Sequence, residues 1–240
     1  MLLILLACLT PRQGDQLLAQ NSELASALNE SETKRVQAEA DLAECQTLST
    51  PPTAAEEIQA SAMLVQANEA LAKGDALTAK GIVAVILSEH GSTQAARGAE
   101  RQASELAVVG LDAVSLDQVE WWQGQHDPNA QVTLIVFWEQ WCHHCRREMP
   151  KTNLQWQRYK AQGLQVIGLT EVTNTSTDES ARALLVDQDI GFAVGKEKGS
   201  VSEAYFVSGI PAAVIIQDGK VIWRGHPAKI SDEAIERWLE

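Results

Sequence analysis

Val132-Thr133-Leu134-Ile135-Val136, followed at once by Phe137-Trp138-Glu139-Gln140-Trp141-Cys142-His143-His144-Cys145-Arg146-Arg147-Glu148-Met149-Pro150, constrains this chain more than any other stretch. Its first five residues are apolar and β-branched, as a fully buried strand requires. The hydrophobic period changes from strand to helix at the cysteines, which predicts Cys142 in the first turn of a helix. Unpaired backbone N–H groups and the positive end of the helix dipole stabilise a thiolate there. The thiolate, not the thiol, attacks a disulfide. Cys145 lies one turn on, where its sulfur closes a ring with Cys142. Such chemistry needs an exposed nucleophile, Cys142, and a buried resolver, Cys145. The competing reading of C-x-x-C is half a zinc site, but no second C-x-x-C and no H-x-x-x-H follow. His143 or His144 can complete a soft-metal site with the two sulfurs, yet adjacent residues diverge at a helix start. No metal is therefore expected, and copper chaperoning is the alternative. A purely structural disulfide would not need two aromatic residues and two imidazoles packed around it.

A second motif, Gly209-Ile210-Pro211, opens the apolar run Ala212-Ala213-Val214-Ile215-Ile216. Together the two motifs resemble the TlpA/ResA-like thiol-disulfide oxidoreductases of the thioredoxin superfamily, over roughly Leu111 to Glu240. The resemblance implies a cis peptide at Pro211, lying against the redox cysteines, with Ile210 and Trp141 tuning the pair. An X-Pro bond adopts cis at modest cost. It also implies exchange of disulfides with protein cysteines and no cofactor beyond the Cys142–Cys145 pair.

In this superfamily a buried acid often takes the resolving cysteine's proton. Thioredoxins place an Asp on the strand, where this chain has Val136. ResA-like proteins resemble this chain at Glu148 instead, and i and i+3 share a helix face, so Glu148 can approach Cys145. The alternative is a solvated Glu148 paired with Arg146 or Arg147. Glu139 is the other candidate acid. His143 and His144 beside Cys142 stabilise its thiolate, and hence the reduced pair, which makes the disulfide more oxidising than a Gly-Pro pair would. They leave the direction of electron flow open.

The chain has 240 residues, long for one domain, and carries 19 Lys+Arg against 32 Asp+Glu, a net charge of −13. That balance argues against nucleic acid or an anionic membrane surface as partner. Residues 1–12 read as the remnant of a secretory signal, in which Leu5-Leu6-Ala7-Cys8 resembles a bacterial lipobox with Cys8 as the lipidated residue. Membrane tethering outside the cytoplasm is the expectation. Residues 13–50 read as a helical spacer or weak coiled coil. Leu17, Leu24, Leu28, Ala38, Leu42 and Cys45 fit a heptad seam that Asn21, Ser31 and Arg35 interrupt. In a parallel pair Cys45 would meet its own copy, giving a disulfide-linked homodimer. Thr50-Pro51-Pro52-Thr53 ends this region.

Residues 51–110 read as an alanine-rich helical hairpin, Ala54–Ala72 and Ala76–Glu89 about Lys73-Gly74-Asp75, with a third helix from Gln94 to Val109 capped by Ser92 or Thr93. The pattern resembles one and a half tetratricopeptide repeats, short of the three that such arrays usually need. Partner binding by this hairpin on a thioredoxin-like scaffold is a third functional reading. Residues 111–240 alternate strand and helix: a strand at Gln118–Trp122, Thr133–Trp138, the helix Cys142–Ala161 with Pro150 inside it, Gln165–Leu169, a helix capped by Ser176 or Thr177, Ile190–Val194, Ser200–Phe206, the hairpin Ala212–Gln217 and Val221–Arg224 about Asp218-Gly219, and a last helix capped by Ser231. The predicted class is α/β, a thioredoxin-like mixed sheet with flanking helices preceded by an all-α N-terminal region.

Overall fold

The computed structural model describes residues 11–47 and 51–240, with side chains placed for 19–39 and 51–240. Two compact units meet at Pro51–Pro52 in the sequence. The first holds one helix, α1 (Pro11–Thr47), whose described side chains are all exposed, Leu24, Leu28 and Val36 among them. Cys8 lies outside the described residues, and the Cys45, Leu17 and Leu42 side chains lie outside the described side chains. No described helix is long and apolar enough to cross a membrane.

The second unit begins with α2 (Ala54–Ala72), α3 (Ala76–Glu89) and α4 (Gln94–Leu106), capped by Thr53, Asp75 and Thr93. Each cap side chain accepts a first-turn backbone N–H that has no partner within the helix. Small residues set the packing: Ala60, Ala67, Ala79 and Ala99 are fully buried between the helices.

A six-stranded mixed sheet follows, ordered β1-β4-β3-β2-β5-β6. Its strands are β1 (Glu120–Gln123), β2 (Val132–Phe137), β3 (Leu164–Thr170), β4 (Ala193–Lys196), β5 (Ala212–Gln217) and β6 (Lys220–Gly225). β2 pairs in parallel with β3, and β3 with β4; the remaining pairs are antiparallel. β2 is central and buried along its whole length, which is why it reads as continuous apolar sequence. The helices α5 (His143–Tyr159), α6 (Asp178–Asp187), α7 (Ser200–Ala204) and α8 (Asp232–Leu239) complete the unit. Asp218 and Gly219 both take positive φ, 51° and 71°, as the tight β5–β6 turn demands.

The helical region and the sheet share one core. The Trp223 and Trp238 indoles, 6.1 Å apart, donate to the Leu71 and Gly74 carbonyls at 3.1 and 3.2 Å, at the end of α2. Ser231 Oγ adds a bond of 3.1 Å to the Ala72 carbonyl. Residues 110–113 pair along β6 through Gly110 N–H to Val221 O, Val221 N–H to Leu111 O and Ala113 N–H to Gly219 O. The outer edge of β6 is thereby covered rather than left as a row of unpaired groups. Residues 52–240 form a single compact unit, with no break at residue 110.

Candidate functional site

β2 ends at Phe137, and the chain turns over Glu139–Trp141 to begin α5. Cys142 is the N-cap of that helix, in extended backbone, and Cys145 N–H points at its Sγ at 3.1 Å. The helix start thus aims a backbone donor at the sulfur, which is what stabilises a thiolate there. Cys142 and Cys145 are joined in a disulfide, with Cα atoms 5.2 Å apart.

Cys145 is fully buried. Cys142 departs from the expected exposed thiol, since only 5% of it is open to solvent. The cover is tertiary. The Ile210–Pro211 peptide, which is cis, brings the Ile210 carbonyl to 3.9 Å from Cys142 Sγ. Approach is through a groove of about 460 Å³ lined by Trp141, Cys142, His143 and the 207–210 segment. Trp141 stands at its rim, half exposed, and its indole donates to Thr173 Oγ1 at 3.2 Å.

His143 and His144 are exposed, with rings 6.1 Å apart. Arg147 approaches His144 Nδ1 at 3.0 Å. A guanidinium only donates, so Nδ1 is the acceptor in this contact. Among the described residues no cluster of three or more His, Cys, Asp or Glu is arranged to hold a metal ion.

Glu148 is 6% exposed, on the same turn-to-turn face of α5 as Cys145. Its basic partner is neither Arg146 nor Arg147 but Lys151, whose Nζ reaches Oε1 at 3.0 Å. The i+3 position lies over the carboxylate, whereas i−1 and i−2 project from other faces. Glu148 lines a separate cleft with Pro227, Ala228 and Ile230. Glu139, 5% exposed, does something the sequence did not suggest. Its Oε1 accepts from Thr170 Oγ1 at 3.0 Å, Glu171 N–H at 2.9 Å and Val172 N–H at 3.0 Å, and its Oε2 from Thr173 N–H at 3.0 Å. It clasps the loop after β3, where Val172 and Asn174 have positive φ. Glu197, also missed, turns both oxygens to the Val201 and Ser202 N–H groups at the start of α7, at 2.9 and 3.0 Å. The only sequence signal for either is a carboxylate just past the end of an apolar strand.

The sheet order, the N-capping cysteine and the proline segment beside it define a thioredoxin-like domain. Residues 114–224 match the AhpC/TSA family. Among its relatives, the thiol-disulfide oxidoreductase ResA of Bacillus thuringiensis subsp. konkukian is 32% identical over 118 residues, 48% of this chain and 65% of that protein. The thioredoxin-like protein YneN of Bacillus subtilis is 25% identical over 114 residues, 48% of this chain and 66% of its own length. The chain thus spans just under two thirds of these relatives. Among solved structures, that of a thiol:disulfide interchange protein DsbE from Chlorobium tepidum superposes with a TM-score of 0.49 at 26% identity, covering 55% of this chain and 98% of that one.

Proposed function

We propose that this protein is an extracytoplasmic thiol-disulfide oxidoreductase that exchanges disulfides with the cysteines of other proteins through Cys142 and Cys145. The observation that carries this reading is the Cys142 sulfur at the N-cap of α5, facing the Cys145 N–H at the wall of an open groove. In the reducing direction the Cys142 thiolate attacks one sulfur of a substrate disulfide, and the substrate's other sulfur leaves as a thiolate that takes up a proton. The Cys145 thiol then gives its proton to Glu148 and attacks Cys142 Sγ. The second substrate sulfur leaves, the substrate holds two thiols, and the Cys142–Cys145 disulfide is formed. The reverse sequence oxidises a substrate. Pro211 lines up the incoming segment; His143, His144, Trp141 and Ile210 tune the pair. Tethering rests on the lipobox-like Leu5-Leu6-Ala7-Cys8, and a homodimer would be joined through Cys45.

Cys145→Ser is expected to accumulate mixed disulfides with partner proteins on non-reducing gels, and Cys142→Ser to accumulate none. The reverse pattern would overturn the assignment of attacking and resolving thiols.

A further inference from the structure

The segment Phe206–Ile210, between α7 and Pro211, is a wall with a cavity on each face. Through Val207, Ser208 and Ile210 it lines the Cys142 groove. Through Phe206, Ser208 and Ile210 it lines a second cavity, of about 430 Å³, whose other wall is Arg101, Ser104 and Glu105 of α4. Arg224 of β6 lines this second cavity and is only 4% exposed. Its guanidinium donates to the carbonyls of Tyr205 at 3.2 Å, Gly225 at 3.2 Å and Phe206 at 3.5 Å. Neither Arg224 nor Arg101 forms an ion pair among the described residues.

A buried cation answered only by neutral carbonyls retains a large unmet electrostatic demand. Burial pulls the Arg224 pKa down, and Glu105 is the carboxylate that offsets part of this. His226, the other titratable group on the cavity, has its pKa held below the usual histidine range by burial, so near neutral pH it adds no charge. Two guanidiniums against one carboxylate leave the cavity positive, in a chain whose net charge is −13. Beside it, Phe206, 56% exposed and at a φ of 49°, lines an apolar surface hollow with Ala107 and Val207.

We propose that this cavity is a substrate subsite: it receives an acidic side chain from the polypeptide whose cysteine engages Cys142, with Arg224 and Arg101 as its counter-charges. The inference rests on the exchange reaction proposed above. A protein segment is the occupant because the cavity adjoins the cysteine groove, the two sharing the Ser208–Ile210 strip of backbone. The helical region then serves specificity, since α4 supplies the outer wall. Charge complementarity of this kind selects partners and fixes register.

The test uses the full-length reduced protein and a panel of short peptides, each with one cysteine held as its mixed disulfide with 2-mercaptoethanol. A single glutamate, glutamine or lysine stands two, three or four residues from that cysteine, on either side. Each turnover yields the peptide thiol, free 2-mercaptoethanol and the Cys142–Cys145 disulfide, followed as a second-order rate. The best-placed glutamate is expected to react about tenfold faster than lysine at the same position. Arg224→Gln should bring that ratio to about one and Arg224→Lys should keep most of it, a pattern that a mere brace for the Tyr205–Phe206 turn would not produce. Glu105→Gln, at a partly exposed residue, should raise the ratio and keeps the test open if Arg224→Gln does not fold. Equal rates for all peptides, or a preference unchanged in Arg224→Gln, would overturn the subsite while leaving the exchange reaction standing. Failure of every peptide to react would instead overturn the exchange reaction.

Discussion

Glu139 and Glu148 lie on opposite flanks of the same disulfide and are buried to the same extent, 5% and 6% exposed. On the strand flank, both Glu139 oxygens are occupied, by three backbone N–H groups and one hydroxyl. On the helix flank, Glu148 receives one bond, from Lys151, a side chain two thirds exposed. Four fixed donors leave Glu139 no free oxygen, whereas Glu148, with a single surface partner, has an oxygen to spare. Burial alone therefore does not distinguish the two glutamates; the count of fixed donors does. The strand flank holds the loop after β3 in place, and the helix flank carries the glutamate proposed above as the proton acceptor.

The most severe way to break this contrast is Glu139→Ala. It strips the acceptor from four donors, and at about 1 kcal/mol each the loss is roughly 3–4 kcal/mol of folding stability. Urea denaturation measures it; a loss below about 1 kcal/mol would mean that the clasp is not structural.

Glu148→Gln should leave the urea midpoint nearly unchanged and slow the collapse of the mixed disulfide about 100-fold, as loss of a positioned proton acceptor does. Single-turnover kinetics with a trapped mixed disulfide reads this step. Slow collapse in a folded Glu139→Gln and normal collapse in Glu148→Gln would exchange the two roles.

Trp141→Phe keeps the apolar rim but removes the bond to Thr173 Oγ1, and should cost about 0.5–1 kcal/mol in the same denaturation assay. A larger loss would show that the Glu139 clasp needs the indole as a second anchor.

The smallest effect is expected from Lys151→Met. An ion pair with so exposed a cation contributes about 0–1 kcal/mol, so stability and collapse rate should both stay close to those of the parent protein. A large change in either would show that Glu148 is as firmly held as Glu139.

The local features were legible because their causes are local. The apolar β-branched run gave β2 to within a residue, the period change placed Cys142 at a helix start, and Asp218-Gly219 placed the hairpin. Thr93, Thr177 and Ser231 serve as caps where short-range rules put them. What escaped was set by residues far apart in sequence. Glu139 meets its four donors 31–34 positions later. The Trp223 and Trp238 indoles find the end of α2 at separations of 152 and 164, which is what merges a helical region that reads as separate into one core with the sheet. Arg224 reads as an ordinary strand arginine until β6 is covered by residues 110–113 and α4 walls the cavity beside it.

By itself, then, the sequence determined where the two cysteines stand on strand and helix, since propensity, periodicity and capping act within a few residues. Only the tertiary structure decided how covered Cys142 is, which glutamate is clasped and which is spare, and where a buried arginine is left without an ion pair. Burial and hydrogen-bond satisfaction are properties of surfaces brought together by packing, and no window of sequence contains both surfaces.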